Sequence, residues 1–272
     1  MTAAIDDMPI PKAREPKPLV ELTDRVLDAL RRGGADLSQL GVPAQQEPED
    51  GLWEDVSVPQ ARARKNIWIN SMREAAQDEY LRFRLDDLDP NQKPNTLRAW
   101  MGSLVEAKKR RARPEVLNMI VPGNIGTGKT TALAALGNEA SETGLLVRFV
   151  KHSTYLSYFR SDGRPDNISA YRVRKDHVEA DLLILDELGG EMDAFATPFV
   201  REKTSELIDA RLGAGRATAL STNLRSRRTP EHPGMGVVDI LGERLLSRLE
   251  SRAHLVKITG PDRRKPAKPL DW

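Results

Sequence analysis

The stretch "VPGNIGTGKTTALAAL", Val121 to Leu136, holds residue types whose spacing suits one kind of chemistry. Gly123, Asn124, Ile125, Gly126, Thr127, Gly128, Lys129 and Thr130 match the phosphate-loop pattern G-x-x-x-x-G-K-[ST], with Thr131 directly behind. The glycines let the backbone curl until successive N–H groups point inward at phosphate oxygens. A helix beginning at Lys129 would add its positive dipole end. Lys129 is then placed for the β- and γ-phosphates of a nucleotide, and the Thr130 hydroxyl for Mg²⁺. The ordinary alternative is a glycine-rich turn with no ligand. Against it, the pattern lies between an apolar strand, "EVLNMIV", and an Ala- and Leu-rich helix.

Three further groups bear on the same chemistry. "DLLILDE" is an apolar strand that ends in Asp186 and Glu187, putting two carboxylates at the edge of a sheet where open α/β folds bind ligands. Asp186 can complete the Mg²⁺ shell with Thr130, and Glu187 can orient or deprotonate an attacking water. "TALSTNL" is a later strand whose Asn223 can bring an amide to the γ-phosphate, although asparagine also caps turns well. In "LGERLLSRLESRAHLVKI", Arg244, Arg248 and Arg252 are spaced by four, which makes a basic stripe beside Leu241, Leu245 and Leu249. That stripe is either a solvated face or the source of an arginine for a neighbouring subunit's γ-phosphate.

The elements that must hold these residues alternate. Strands are expected at 115–121, 145–150, 181–187, 216–223 and 253–258. Helices are expected at 97–109, from Lys129 to Thr143, after the second strand, and over "PFVREKTSELIDARLG" with Gly213 as its stop. Alternation of this kind predicts an α/β fold with a parallel sheet covered on both faces. Ahead of it, helices are expected at about 19–32 and 60–85, with "GVPAQQEPEDGLWEDVSVP" as a linker. The division is 1–85, a partly flexible, mostly helical N-terminal segment, and 86–272, the nucleotide-binding domain.

Bulk properties narrow the class. There are no cysteines, which removes disulfides and thiolate zinc sites. The first residues carry acids and prolines where a signal peptide needs a basic start and an apolar run, and no run approaches the ~20 apolar residues of a membrane span, so a cytoplasmic protein is expected. Residues 1–58 carry six Lys or Arg against twelve Asp or Glu, net −6, leaving +8 for the rest. A basic body suits nucleic acid. For such contact "VKHSTYLSYFRSDGR" offers Lys151, Tyr155, Tyr158 and Arg160, charge plus rings for base stacking. Packing of Tyr155 on the sheet is the competing reading.

Taken in order, "GNIGTGKTT", "LLILDELG", "ALSTNL" and "LGERLLSRLESRAHLVKITGPDRR" resemble the AAA+ ATPases of the DnaC/DnaI helicase-loader group and their IstB-like relatives, over roughly residues 80–262. The resemblance implies an AAA+ P-loop NTPase with a five-stranded parallel sheet, ATP and Mg²⁺ as ligands, and hydrolysis of ATP to ADP and phosphate. It implies self-association into a spiral or ring around single-stranded DNA and delivery of a ring-shaped, hexameric replicative helicase. It gives Asn223 the sensor-1 position, Arg248 the arginine-finger position, and Arg263 a further place facing nucleotide, with Arg264 competing. The N-terminal segment is the expected helicase-binding arm. Some relatives carry a cysteine-bound zinc module there, which this chain cannot form. The residues after the last strand leave little room for the helical lid of many AAA+ proteins. An IstB-like partner of a transposase is the near alternative, and a P-loop small-molecule kinase the distant one.

Overall fold

The computed structural model describes residues 57–160, 168–190, 197–231 and 233–264. The helix expected at 19–32 and most of the expected linker lie outside the described residues. Five strands form one sheet: β1 (Asn118–Pro122), β2 (Val147–Lys151), β3 (Leu182–Leu188), β4 (Ala217–Thr222) and β5 (Ala253–Leu255). Their order is β2-β3-β4-β1-β5, and every pairing is parallel. The ends of β1, β3 and β4 therefore lie side by side, although the chain leaves β1 for the far edge before it returns. Such a reversal in strand order opens a crevice at the carboxyl ends of the strands.

The middle strands are largely buried because both faces are covered, and their alternate apolar residues serve different cores. Met119, Val121, Leu182, Ile184, Ala217 and Ala219 enter one core, together with α1 (Ser57–Glu74), α2 (Pro94–Lys109) and α3 (Lys129–Glu142). Ile120, Leu183, Leu185 and Leu220 enter the other. That second layer holds α4 (His152–Ser157), α5 (Ala170–Glu179), α6 (Pro198–Ala214), α7 (Val237–Leu241) and α8 (Glu243–Glu250).

Helix α1 is built into this body. Trp68 and Met72 are fully buried. The Trp68 ring lies so close to Gly137 of α3 that a Cβ there would stand 2.2 Å from it, and its indole N–H donates to Asn138 Oδ1 at 2.8 Å. Strand β2 is an edge of the sheet, and the Phe149 N–H on that strand donates to Ser71 Oγ of α1 at 3.0 Å. The helix so covers an edge that would otherwise be open to pairing. The compact unit that holds the sheet begins at Asp55.

Two helix ends differ from expectation, and both have a backbone reason. The helix expected over 60–85 stops at Glu74 and gives way to short 3₁₀ turns at Asp78–Arg82, Leu85–Asp87 and Pro90–Gln92. Ala76 adopts φ 52° there, and the Gln77 and Ala76 N–H groups donate to Met72 O and Arg73 O. This is the Schellman closure with alanine where glycine is usual, so no glycine marks the stop. Helix α6 runs through Gly213 to Ala214 and is capped by Gly215, whose φ is 65°. Near its end the fully buried Arg211 donates to the carbonyls of Val178 and Ala180 and to Thr218 Oγ1, which fastens the helix to α5 and β4. Burial pushes the Arg211 pKa down to about 9.

Candidate active site

The loop from Gly123 to Gly128 joins β1 to α3, as its residues require. Gly126 and Gly128 adopt φ 78° and 90°, conformations that side chains rarely take. A Cβ on Gly126 would stand 1.8 Å from Asp262 Oδ1, and one on Gly123 would stand 2.5 Å from the Ile258 carbonyl. The loop thus threads between the chain's last described residues and α3. Gln92 braces it from outside, donating from Nε2 to the Gly128 carbonyl at 2.9 Å.

Lys129 opens α3, almost fully buried. Its Nζ donates to Gly123 O at 2.9 Å, Asn124 O at 2.8 Å and Asn223 Oδ1 at 2.6 Å. Burial lowers its pKa, and the Asp186 carboxylate works in the opposite direction. Asn223, just past β4, therefore reaches the phosphate-loop lysine directly.

Asp186 is fully buried, and each of its oxygens accepts from a hydroxyl. Thr130 Oγ1 donates to Oδ2 at 2.8 Å and Ser221 Oγ to Oδ1 at 2.5 Å. Burial raises its pKa, and those two bonds oppose the rise. Glu187 has φ 58°, a left-handed value that a side chain adopts at a cost of about 1–3 kcal/mol. It sits in a bulge: Leu185 pairs with Leu220 and Leu188 with Thr222, so two residues of β3 oppose one of β4. An unbroken strand would point neighbouring side chains to opposite faces. Here Asp186 meets Thr130 while Glu187 lines the cleft.

The cleft has a volume of about 550 Å³, within the usual range for small-ligand sites. Ile125, Gly126, Gly128, Lys129, Thr130, Thr131, Glu187 and Asn223 line it, and so do Arg263 and Arg264, while Gly123, Asn124 and Thr127 do not. Arg263 donates its N–H to the Gly126 carbonyl, and its guanidinium pairs with Asp89 at 3.2 Å. The cluster is suited to a nucleotide, with four cations (Lys129, Lys151, Arg263, Arg264) around one phosphate-sized turn. It also fits Mg²⁺, which takes a hydroxyl and one carboxylate and leaves its other positions to phosphate oxygens and water. Among the described residues no group of three or more His, Cys, Asp or Glu could hold a metal by itself.

Other expected residues lie elsewhere. Lys151 stands at the end of β2 in register with Asp186 and lines the same cleft. Tyr155 is 1% exposed and packs edge-on against Phe159 and His177, which leaves no ring face for a base. Tyr158 is half-buried beside His177, and burial holds the His177 imidazole neutral, with a pKa near 4. Arg160 is exposed over the Phe199 ring. Arg248 lies outside the cleft, exposed on α8 and ion-paired with Asp209 of α6. Helix α8 ends at Glu250, so Arg252 is not on it. Tyr80, Gln92 and Ser221 join the site with no expectation from the sequence. The first two come from the 3₁₀ turns, which carry no motif; the third stands inside "STN".

A parallel sheet that gathers the ends of β1, β3 and β4 over one cleft is the AAA+ arrangement of P-loop nucleotide-binding proteins. The solved structures agree on the fold. The crystal structure of DnaI aligns with TM-score 0.51 at 21% identity, covering 68% of this chain and 93% of that one. The DnaC helicase loader aligns with TM-score 0.51 at 22% identity, covering 66% and 99%. The model of the IstB-like ATP-binding proteins matches residues 108–270, and the chain belongs to that family. It is also similar to the replicative helicase loader DnaC of Escherichia coli K12, with 25% identity over 134 residues, 49% of this chain and 50% of that protein. A Mycobacterium tuberculosis protein described as ATP-binding and in an insertion sequence shares 29% over 153 residues, 56% and 57% of the two chains. The chain thus spans about half the length of the curated relatives it matches.

Proposed function

We propose that this chain hydrolyses Mg²⁺·ATP within an assembly of like subunits, and that it loads a ring-shaped replicative DNA helicase onto single-stranded DNA. The observation that carries the hydrolytic part is the bulge at Asp186–Glu187, which places one acid on Thr130 and the other in the cleft. Thr130 and Asp186 would hold the ion, whose charge offsets that of the phosphates. Lys129 and the loop amides bind the β- and γ-phosphates, Glu187 orients the attacking water, and Asn223 keeps Lys129 turned toward the loop. Arg263 contributes charge at the rim. Arg248, outside its own cleft and held by an exposed pair with Asp209, would reach that of a neighbour. Such a division makes hydrolysis depend on assembly.

The helicase as client rests on similarity to the DnaC loader. The family match and the insertion-sequence relative favour a second reading, in which the same ATPase serves a transposase. Membership in the family leaves the small-molecule kinase reading without support. We place the client-binding arm in the N-terminal segment, within 1–85. Because α1 shares the core of the sheet, the deletion that tests the arm should stop before Ser57. A pull-down of a purified hexameric helicase by the full chain, lost when residues 1–56 are removed, is the expected result. Capture of a transposase from a neighbouring insertion element, with no capture of helicase, would move the assignment to the second reading.

A further inference from the structure

Ser221 stands on β4 opposite the two-residue bulge of β3. A bulge removes a ladder acceptor, and the N–H left over here belongs to Glu187. That N–H donates to Ser221 Oγ at 2.9 Å, and the same hydroxyl donates its proton to Asp186 Oδ1 at 2.5 Å. One fully buried hydroxyl therefore takes the backbone of one acid and the carboxylate of the other. Thr222 closes the far side of the bulge by donating from Oγ1 to the Leu188 carbonyl at 2.8 Å. Between these two anchors Glu187 is held at φ 58°, a conformation it has little reason to keep without them.

We propose that Ser221 is a positioning residue that holds Asp186 and Glu187 aimed at the nucleotide site. It acts through the bulge, by its bonds to the Glu187 N–H and the Asp186 carboxylate. This rests on the reading of the cleft as an ATPase site. Replacing the hydroxyl by hydrogen takes this partner from the Glu187 N–H and from Asp186 Oδ1. The strand then has reason to relax toward regular pairing, which would turn Glu187 away from the cleft.

The test compares Ser221→Ala and Ser221→Thr in the full chain. Without nucleotide, hydrogen exchange at the Glu187 amide should quicken about tenfold or more in Ser221→Ala, one pairing energy expressed as a rate. Binding of a fluorescent ATP analogue without Mg²⁺ should stay within about threefold, since no loop contact is removed. The turnover number should fall about 10–100-fold, and the Mg²⁺ concentration for half-maximal rate should rise. Ser221→Thr, which keeps the hydroxyl, should recover most of both losses. Unchanged exchange at Glu187, or an alanine variant that turns over at the parental rate, overturns the proposal. So does an alanine variant that fails to fold while the threonine variant folds and remains slow, because the role is then only structural. Glu187→Gln serves as the separate control: if it hydrolyses normally, the reading of the site fails whatever Ser221 does, while the exchange measurement still reports on the bulge.

Discussion

Lys129 and Arg248 are both cations proposed to meet the terminal phosphate of a nucleotide, and their surroundings have little in common. Lys129 is almost fully buried at the start of α3 and is held by three oxygen acceptors, two from the loop and one from Asn223 just past β4. Arg248 is 45% exposed on its side chain, and its recorded partner is Asp209, itself 57% exposed. The first is preorganised by its own chain, so its geometry is set before ligand arrives. The second is held by an exposed ion pair of the kind that contributes little and exchanges easily. A site divided in this way keeps its binding half ready and its finishing half conditional on another subunit.

The largest effect should come from the ready half. Lys129→Ala removes a buried cation proposed to face two phosphates, and each charge-assisted bond lost is worth about 1.5–3 kcal/mol. ATP affinity should drop at least about 100-fold by equilibrium titration. Normal binding by that variant would remove the basis for assigning the cleft. The conditional half predicts a different pattern. Arg248→Ala should bind ATP as the parent does and lose hydrolysis about 10³-fold in the assembled state, in line with arginines supplied between subunits. Mixing it with Glu187→Gln should restore part of the rate, because one subunit then supplies the acid and its neighbour the arginine. No recovery on mixing, with both variants assembled, would end the distinction between the two cations.

The same contrast explains what could be read without coordinates. The phosphate loop and "LLILDE" are contiguous, and each residue's task follows from local backbone geometry and a fixed spacing. The parallel sheet was legible for a similar reason, since strands such as Leu182–Leu185 are apolar on both faces. The brace from Gln92, the Tyr80 wall and Asp262 over Gly126 come from distant segments, and no local pattern encodes where such segments meet. The bulge was hidden as well. Period-two reading puts Asp186 and Glu187 on opposite faces, and only the tertiary partner Ser221 makes the irregular register stable. Tyr155 shows the opposite error: a ring with neighbouring cations reads as a stacking platform, while the second core claims it for packing. Helix α5 carried too few apolar residues to be expected at all, and it packs through Val173 and His177.

The smallest effect is also the one that most sharpens the comparison. If the Arg248–Asp209 pair holds the arginine back in the free subunit, Asp209→Asn should act in the opposite direction from Arg248→Ala. The pair joins α8 to α6 at an exposed position, so its worth is at most about 1 kcal/mol, or roughly fivefold. That gain should appear only where assembly is limiting. At low subunit concentration, Asp209→Asn should raise ATP turnover by up to about fivefold, and at saturating concentration the two chains should converge. Salt supplies the second axis, because raising ionic strength from 0.15 to 1 M shortens the screening length from about 8 to 3 Å. The advantage of Asp209→Asn should shrink as the parent's own pair is screened. A fall in turnover, persisting at saturation, would mean that Asp209 presents Arg248 to its target. The exposed pair would then belong to the finished site, and the contrast with Lys129 would be one of burial alone.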